Sequence, residues 1–463
     1  MAVLAWLLFG GSSPEERATE VVEAGAAASE DYGPFAWDAD RREEFEERAS
    51  KGTSHVLYAM SPDGVVATAE RTDKWRPQIE RAAETSGVNP DLLEAVIFLE
   101  SAGRPDVIAG ETPEAAAGLG QILPETATDL LGMEVDLERS ITLTKQIAKA
   151  QRKGEPAQAA KFARERARID ERFDPEAAIE GAARYLSIAN ERFGVEDLAT
   201  VSYHMGIGNL ESAMAGYDGD VESYAQLFFD SAPDRNAEAH DILAGFADDS
   251  SLYYWRVLAA ERIMRQWRGD QDQVAELERT AELATSKATL EEVYHPEDET
   301  KIYDGPDQIA KATESEELLP LPPKGGPGWE VDDQMGELAP ELGRKPGLYR
   351  ALRPEALATL AFMGATVERL SDAEQPLKVT STVRDREYQE LLVASNPEAT
   401  QEYSLHTTGW SFDILRDYEN DLQAEAFQFV LDRLRALAVI DYALEPKAVH
   451  VTVSPFGAEL VPD

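Results

Sequence analysis

Glu100 and a late cluster of histidine and aspartate are the residues in this 463-residue chain whose types and spacing promise chemistry. Asn89-Pro90-Asp91 reads as a helix start, with a capping side chain and proline in the first turn. Leu92, Leu93, Val96 and Leu99 then supply an apolar stripe, and Glu100 closes the helix. The residues three, four and seven positions before it are Ile97, Val96 and Leu93, so its carboxylate projects from the apolar side. Desolvation there favours the protonated acid, which is what protonating a glycosidic oxygen requires. Periodicity alone equally describes a solvated glutamate at a helix end. The second constellation is Ser404-Leu405-His406-Thr407-Thr408-Gly409-Trp410-Ser411-Phe412-Asp413, followed by His450 within Val449–Val453. Read as strands, these segments put Ser411 and Asp413 on one face and His450 and Thr452 on the same polar side, with His406 in the preceding loop. Two imidazoles and a carboxylate with a fourth position open make a hydrolytic zinc site.

Composition narrows the choices. At about 150 residues per domain the length suggests two or three domains, and 43% hydrophobic residues can give each a core. The 44 Lys and Arg against 88 Asp and Glu leave a net charge of -44, which argues against general binding to nucleic acid or an anionic membrane surface. The absence of cysteine removes disulfides, thiolate metal sites and a cysteine nucleophile, so any metal must use His and carboxylate. The apolar run Ala2–Phe9 is too short to span a bilayer and lacks a basic flank. It reads equally as a truncated export signal and as a frayed terminus.

The elements that must position these groups divide the chain as follows. Residues 1–52 read as an export remnant and a solvated acidic lead-in, and residues 53–270 as a mainly α domain opening with a small hairpin over Val56–Thr68. Residues 271–343 read as a helical and Pro/Gly-rich linker, centred on Leu318–Gly328. Residues 344–463 read as a small α+β domain with helices over Pro354–Leu370 and Leu422–Leu437 and strands over Leu377–Val383, Gly409–Ile414 and Val449–Val453. Within the first domain, residues 134–172 read as a basic helical hairpin turning at Gly154-Glu155-Pro156. From Arg139 to Arg172 it carries ten Lys and Arg against four acids. Two readings of it are open: a cationic surface for an anionic polymer, and a hairpin neutralised by acidic neighbours.

Several blocks in order carry a resemblance. Glu100-Ser101 is followed by Ala117-Gly118-Leu119-Gly120-Gln121-Ile122, by Gly181–Leu186, and by Ser202-Tyr203-His204-Met205-Gly206. Over roughly residues 75–265 this resembles the soluble lytic transglycosylases of bacterial cell walls, whose fold is α-helical and lysozyme-like. The resemblance implies that Glu100 is the single catalytic acid/base at the MurNAc–GlcNAc bond, yielding a 1,6-anhydromuramyl end without a cofactor. It implies substrate-binding roles for Ser101, which supports Glu100, for Gln121 and for Tyr203, and through a weaker alignment for Tyr253. Gly120 stands where that family has methionine and His204 where it has asparagine.

Residues 346–455 resemble the zinc D,D-carboxypeptidases and endopeptidases that trim peptidoglycan peptides, through the S-x-H-x-x-G-x-x-x-D segment, the distant His450, and Ser381-Thr382-Val383-Arg384. The resemblance implies zinc held by His406, Asp413 and His450, with Arg384 binding substrate. That family often has its base as glutamate three residues before the last histidine. Lys447 is there, so the nearest carboxylate, Glu445, is the candidate base.

The combined expectation is a multidomain, extracytoplasmic wall-remodelling enzyme: a mainly α lysozyme-like domain followed by a small α+β zinc-peptidase-like domain. Its partners would be peptidoglycan glycan strands and stem peptides, with other wall-synthesis proteins left open and nucleic acid and a membrane span excluded. The alternatives are a muramidase-type hydrolase and a wall-binding protein with degenerate sites.

Overall fold

The computed structural model describes residues 13–246, 248–284, 302–395 and 404–462; the Ala2–Phe9 run lies outside them. The chain forms two compact units. One comprises Arg42–Ser231 and Arg235–Leu283; the other gathers the chain up to Arg41, Ala232–Asp234, and everything from Ala284 onward.

The first unit is helical, as its periodicity predicts. Helix Pro90–Ser101 lies at its centre, with Leu92 to Phe98 all buried. An all-round apolar helix must be enclosed, and helices Val65–Asp73, Arg76–Ser86, Pro175–Phe193 and Tyr253–Gly269 enclose it. The expected hairpin over 56–68 is instead a turn between helices Arg42–Met60 and Val65–Asp73. The turn residues are where the sequence places them, Asp63 and Gly64 both having positive φ. The flanks are helical because Val65, Thr68, Ala69 and Thr72 form one buried face at helical spacing. The basic segment is a hairpin of helices Leu137–Arg152 and Pro156–Ala167, turning at Gly154.

The second unit combines helices with a mixed five-stranded sheet in the spatial order Trp329–Val331, Leu377–Ser381, Ser411–Leu415, Ala448–Val453, Ile440–Leu444. The first pair is parallel and the others antiparallel. Helices Pro354–Ser371 and Asp421–Ala436 pack together against it.

Two expected boundaries are corrected. Residues 14–41 are no solvated lead-in: helix Pro14–Ala28 buries Ala18, Val21, Val22 and Gly25 against helix Pro354–Ser371. That face has helical spacing, but half of it is alanine and glycine, so its hydrophobicity is faint. Nor is Leu318–Gly328 a free linker. Leu319–Pro320 pairs with Ala351–Leu352, Leu318 and Leu319 are buried, and Trp329 is a large core side chain. Proline fits there because the pairing is short and at an edge. Residues 285–301 of the expected linker lie outside the described residues. No helix among the described residues is long and apolar enough to cross a membrane.

Gly25 makes the N-terminal docking testable. A Cβ there would lie 2.4 Å from the Ala358 carbonyl oxygen. Gly25→Val should destabilise the sheet-containing unit by about 1–3 kcal/mol, read as a lower first calorimetric transition, while Glu23→Gln on the exposed face should leave it unchanged.

Candidate active site and candidate metal centre

Glu100 is placed by the end of its helix. Asn89 caps the start, accepting from the Asp91 N–H at 3.0 Å. At the other end Ala102 turns left-handed, and the turn is pinned from outside: the Arg71 Nε donates to Ala102 O and the Trp75 indole N–H to Gly103 O, both at 2.9 Å. Glu100 thus sits one residue before a fixed terminus, over buried Leu93, Val96 and Ile97.

Burial pushes the Glu100 carboxyl up to about 7, and the single group that opposes this is the Tyr253 hydroxyl, which donates to Oε1 at 2.7 Å. Tyr253 remains a donor because burial and the Glu100 charge hold its own pKa well above the ordinary value. Its ring lies parallel to that of Tyr203, with centroids 6.5 Å apart, and stacks on His204 at 5.1 Å. Tyr185 meets Tyr203 edge-on at 5.0 Å.

The Ala117–Ile122 loop forms the neighbouring wall. Gly118 has φ 79°, and a Cβ there would lie 1.7 Å from Arg172 O, so only glycine permits the approach. Gln121 is itself left-handed at φ 45°, and its Nε2 donates to Val107 O and Gly118 O at 3.1 and 2.8 Å. The Tyr203 hydroxyl donates to Gly120 O at 2.7 Å. A Cβ on residue 120 would stand 2.9 Å from that hydroxyl, which gives the glycine at this position a physical reason.

The structure therefore brings Glu100, Tyr203 and Tyr253 into one cluster. Ser101 is placed differently: it is buried, and its hydroxyl donates to Ile97 O at 3.1 Å, bracing the helix. Two further residues belong to the surroundings. His204 Nδ1 is 2.9 Å from Ser250 Oγ, which lies 2.5 Å from Asp248 Oδ1. Since the carboxylate takes the serine proton, the serine oxygen accepts from Nδ1–H. Their sequence signal is faint: Ser250 stands three residues before Tyr253, in a loop with no periodicity.

In the second unit Asp413 and His450 are direct register partners on adjacent strands, and Ser411 and Thr452 are the next pair on that face. His406 comes from the loop before the strand. His406 Nε2 and His450 Nδ1 approach the same oxygen, Asp413 Oδ1, at 3.1 and 2.7 Å. One ligand atom from each residue lies within 4.8 Å of the others. His406 Nδ1 is 2.8 Å from Thr382 O; a carbonyl can only accept, so Nδ1 carries the proton and Nε2 is left with its lone pair toward the cluster. Burial, then the Arg384 charge, pushes His406 down to about 4. Burial would raise the Asp413 carboxyl, but the two imidazoles override it and hold it well below the usual carboxylate range. A neutral His406 imidazole with its lone pair toward an ionised carboxylate, and a second imidazole beside them, is a nitrogen and oxygen donor set that fits zinc.

Arg384 is beside this cluster, with Nη2 at 2.6 Å from Ser381 Oγ and 3.4 Å from Asp413 Oδ2, and Nη1 at 3.1 Å from Gln389 Oε1. It lines a cleft of about 320 Å³ with Thr382, Tyr349, Tyr388 and Asp332. Glu445 is exposed in the turn between the last two strands, and its charge acts on Arg384.

The Glu100 environment fixes a stability sign. Its folded pKa near 7 exceeds the ordinary 4.5, so ionisation costs the folded state nothing below about pH 4.5 and progressively more up to about pH 7. Glu100→Gln should therefore raise the Tm of the helical unit at pH 8, and the gain should vanish as pH falls towards 4. Tyr253→Phe, which removes the opposing donor, should enlarge the loss of stability between those pH values.

With this geometry in view, comparison with known proteins is informative. Residues 77–149 and 146–224 match the Transglycosylase SLT domain family. Two proteins named endo-type membrane-bound lytic murein transglycosylase A, from Klebsiella pneumoniae and Citrobacter koseri, are each 34% identical over 70 residues, 15% of this chain. The chain spans about a third of the length of these curated relatives, 33%. The two family matches meet within the basic hairpin, and the residues 77–224 that they cover contain Glu100, Gln121 and Tyr203.

Proposed function

We propose that the protein remodels bacterial peptidoglycan outside the cytoplasm, cleaving the MurNAc–GlcNAc bond through its helical unit and stem peptides through its sheet-containing unit. The observation that carries the first activity is a carboxyl group held near pKa 7 by burial within the residues that match the Transglycosylase SLT domain family. The names of the relatives, lytic murein transglycosylases, point to the same substrate.

In this reading Glu100 gives its proton to the glycosidic oxygen as the bond to the muramyl anomeric carbon breaks, and the GlcNAc 4-hydroxyl leaves. The resulting carboxylate takes the proton of the muramyl 6-hydroxyl while that oxygen closes on the anomeric carbon. The product is a 1,6-anhydromuramyl end, no water is consumed, and Glu100 is again protonated. Burial and Tyr253 are the only influences that move the Glu100 pKa, which suits a reaction with one acid/base rather than a carboxylate pair. Tyr253 stabilises the carboxylate between the two proton transfers through its hydrogen bond.

In the second unit, His406 through Nε2, His450 through Nδ1 and Asp413 would hold zinc, which supplies Lewis acidity and water activation for amide cleavage. Arg384 faces the adjoining cleft and suits a substrate carbonyl or carboxylate. Glu445, whose charge reaches Arg384, is the candidate proton acceptor, in place of the glutamate that Lys447 displaces.

Glu100→Gln should lower sacculus solubilisation by about 10²–10⁴-fold, and mass spectrometry of wild-type products should show anhydro ends. Reducing ends would make the enzyme a hydrolase; unchanged solubilisation would refute the assignment of Glu100. Because the acid must be protonated, glycan turnover should fall as pH rises above about 7.

Chelator should abolish peptide cleavage, with recovery on adding zinc, while anhydro products persist. His406→Ala should lose bound zinc by metal analysis, and Glu445→Ala should retain zinc but lower peptidase turnover about 10²–10⁴-fold. Full turnover in Glu445→Ala would remove that residue from the mechanism.

A further inference from the structure

The basic hairpin concentrates exposed cations in a chain of net charge -44. Lys145, Lys149, Arg152 and Lys153 on the first helix, and Lys161 and Arg164 on the second, are all exposed. Not one of these six has an ion-pair partner among the described residues, in a protein with twice as many acids as bases. The cations that are engaged lie elsewhere on the hairpin: Arg139 pairs with Glu165, and Arg166 is buried with its guanidinium 3.5 Å over the Phe173 ring.

Helical spacing sorts the rest into lines. Residues 145, 149 and 152 share one face, opposite buried Leu143 and Ala150, and residues 161 and 164 stand opposite buried Ala159 and Arg166. The line on the first helix extends about 10 Å, at 1.5 Å per residue. Keeping like charges in rows without counter-charges is electrostatically unfavourable, and an external polyanion would relieve it.

The hairpin is also tied to the glycan-cleaving site. At its base Asp136 N donates to Ile169 O at 2.7 Å, and Ser140 Oγ donates to Asp170 Oδ2 at 2.6 Å. Asp170 pairs with fully buried Arg172, whose guanidinium donates to the carbonyls of Pro113, Ala115 and Ile122 at 2.9, 3.3 and 3.3 Å. Those carbonyls flank the loop that carries Gln121. The base of the cationic hairpin is thus fastened to the loop that carries Gln121.

We propose that the outward faces of this hairpin form a retention site for the carboxylates of polymeric peptidoglycan, borne by its stem peptides and lactyl groups. The proposal rests on the glycan-cleaving reading of the neighbouring site. Carboxylates of the strand being cut are favoured over nucleic acid because the remainder of the chain is strongly acidic. A duplex long enough to engage the hairpin would meet that repulsion, whereas a strand in the adjoining site brings its charges to the hairpin locally.

The test uses full-length protein carrying Glu100→Gln, so that binding is read without cutting. To this is added Lys145→Gln, Lys149→Gln, Lys161→Gln and Arg164→Gln, or, as a charge-retaining control, Lys145→Arg, Lys149→Arg and Lys161→Arg. Co-sedimentation with purified sacculi at low salt should weaken on the order of tenfold for the glutamine set, which should also lose most of its salt dependence. The arginine set should bind as the parent does. Carbodiimide amidation of the sacculus carboxylates should reduce parent binding to the level of the glutamine set. Undiminished binding by the glutamine set, indifference to amidation, or stronger competition by a short DNA duplex than by soluble muropeptide polymer would each overturn the proposal. Product analysis with Glu100 intact separates the two claims. Anhydro ends without a hairpin effect would sink retention alone, and a hairpin effect without anhydro ends would sink the chemistry alone.

Discussion

The chemistry of the helical unit depends on one carboxyl group being held largely out of water. Glu100 would ionise near the ordinary 4.5 if solvated, and it would then have no proton to give at neutral pH. Residues Leu92 to Phe98 of its helix are buried, Glu100 itself is half-buried at the helix end, and the turn after it is held by Arg71 and Trp75. Among the described residues, the hydrogen bond to the carboxylate comes from one neutral phenol, that of Tyr253. A cationic partner would have lowered the pKa, and another nearby carboxylate would have raised it further. The Tyr185, Tyr203 and Tyr253 rings, with His204 at their exposed edge, pack together beside Glu100.

Burial has the opposite outcome in the other unit because the partners differ. Asp413 is also removed from water, yet two imidazoles and the Arg384 guanidinium around it keep it ionised. The same desolvation that protonates Glu100 here deprotonates His406. The geometry depends on support from distant parts of the chain. Tyr303 N donates to Thr407 O, and Arg353 donates through its backbone to Gly409 O and through Nε to Thr408 O at 2.9 Å. Residues around Tyr303, in a stretch that reads as linker by composition, are thus part of the scaffold that presents His406.

What was legible in the sequence follows the strength of the local signal. Helix Pro90–Ser101 announces itself through a cap, a proline and dense aliphatic spacing, and the alternation in Ser411–Asp413 and Val449–Val453 places the polar residues on one face of their strands. The helical hairpin and its turn were legible for the same reason. The N-terminal helix was not, because its buried face is small residues, whose close approach compensates for little apolar area. Strand Ile440–Leu444 was missed because its neighbour on one side is a helix ending at Ala436, and the turn between them is short. Contacts such as Arg172 to three loop carbonyls, or Ser250 to His204, join residues 46 to 59 positions apart, and no periodicity encodes them.

The most consequential of these hidden contacts is topological. The unit that holds His406, Asp413 and His450 starts with helix Pro14–Ala28, and Arg17 donates to Pro462 O across 445 residues. The face of Val21 and Val22 finds its partners more than 290 residues away, chiefly in helix Pro354–Ser371 and also in strand Leu319–Pro320, whereas the helical unit draws its elements from Arg42–Leu283. Joining the two ends of the sheet-containing unit closes a loop of some hundreds of residues, at a cost that rises only slowly with the length of the insertion. A modest helix can meet that cost because glycine and alanine bring its backbone against helix Pro354–Ser371, so that dispersion contacts replace the bulky side chains it lacks.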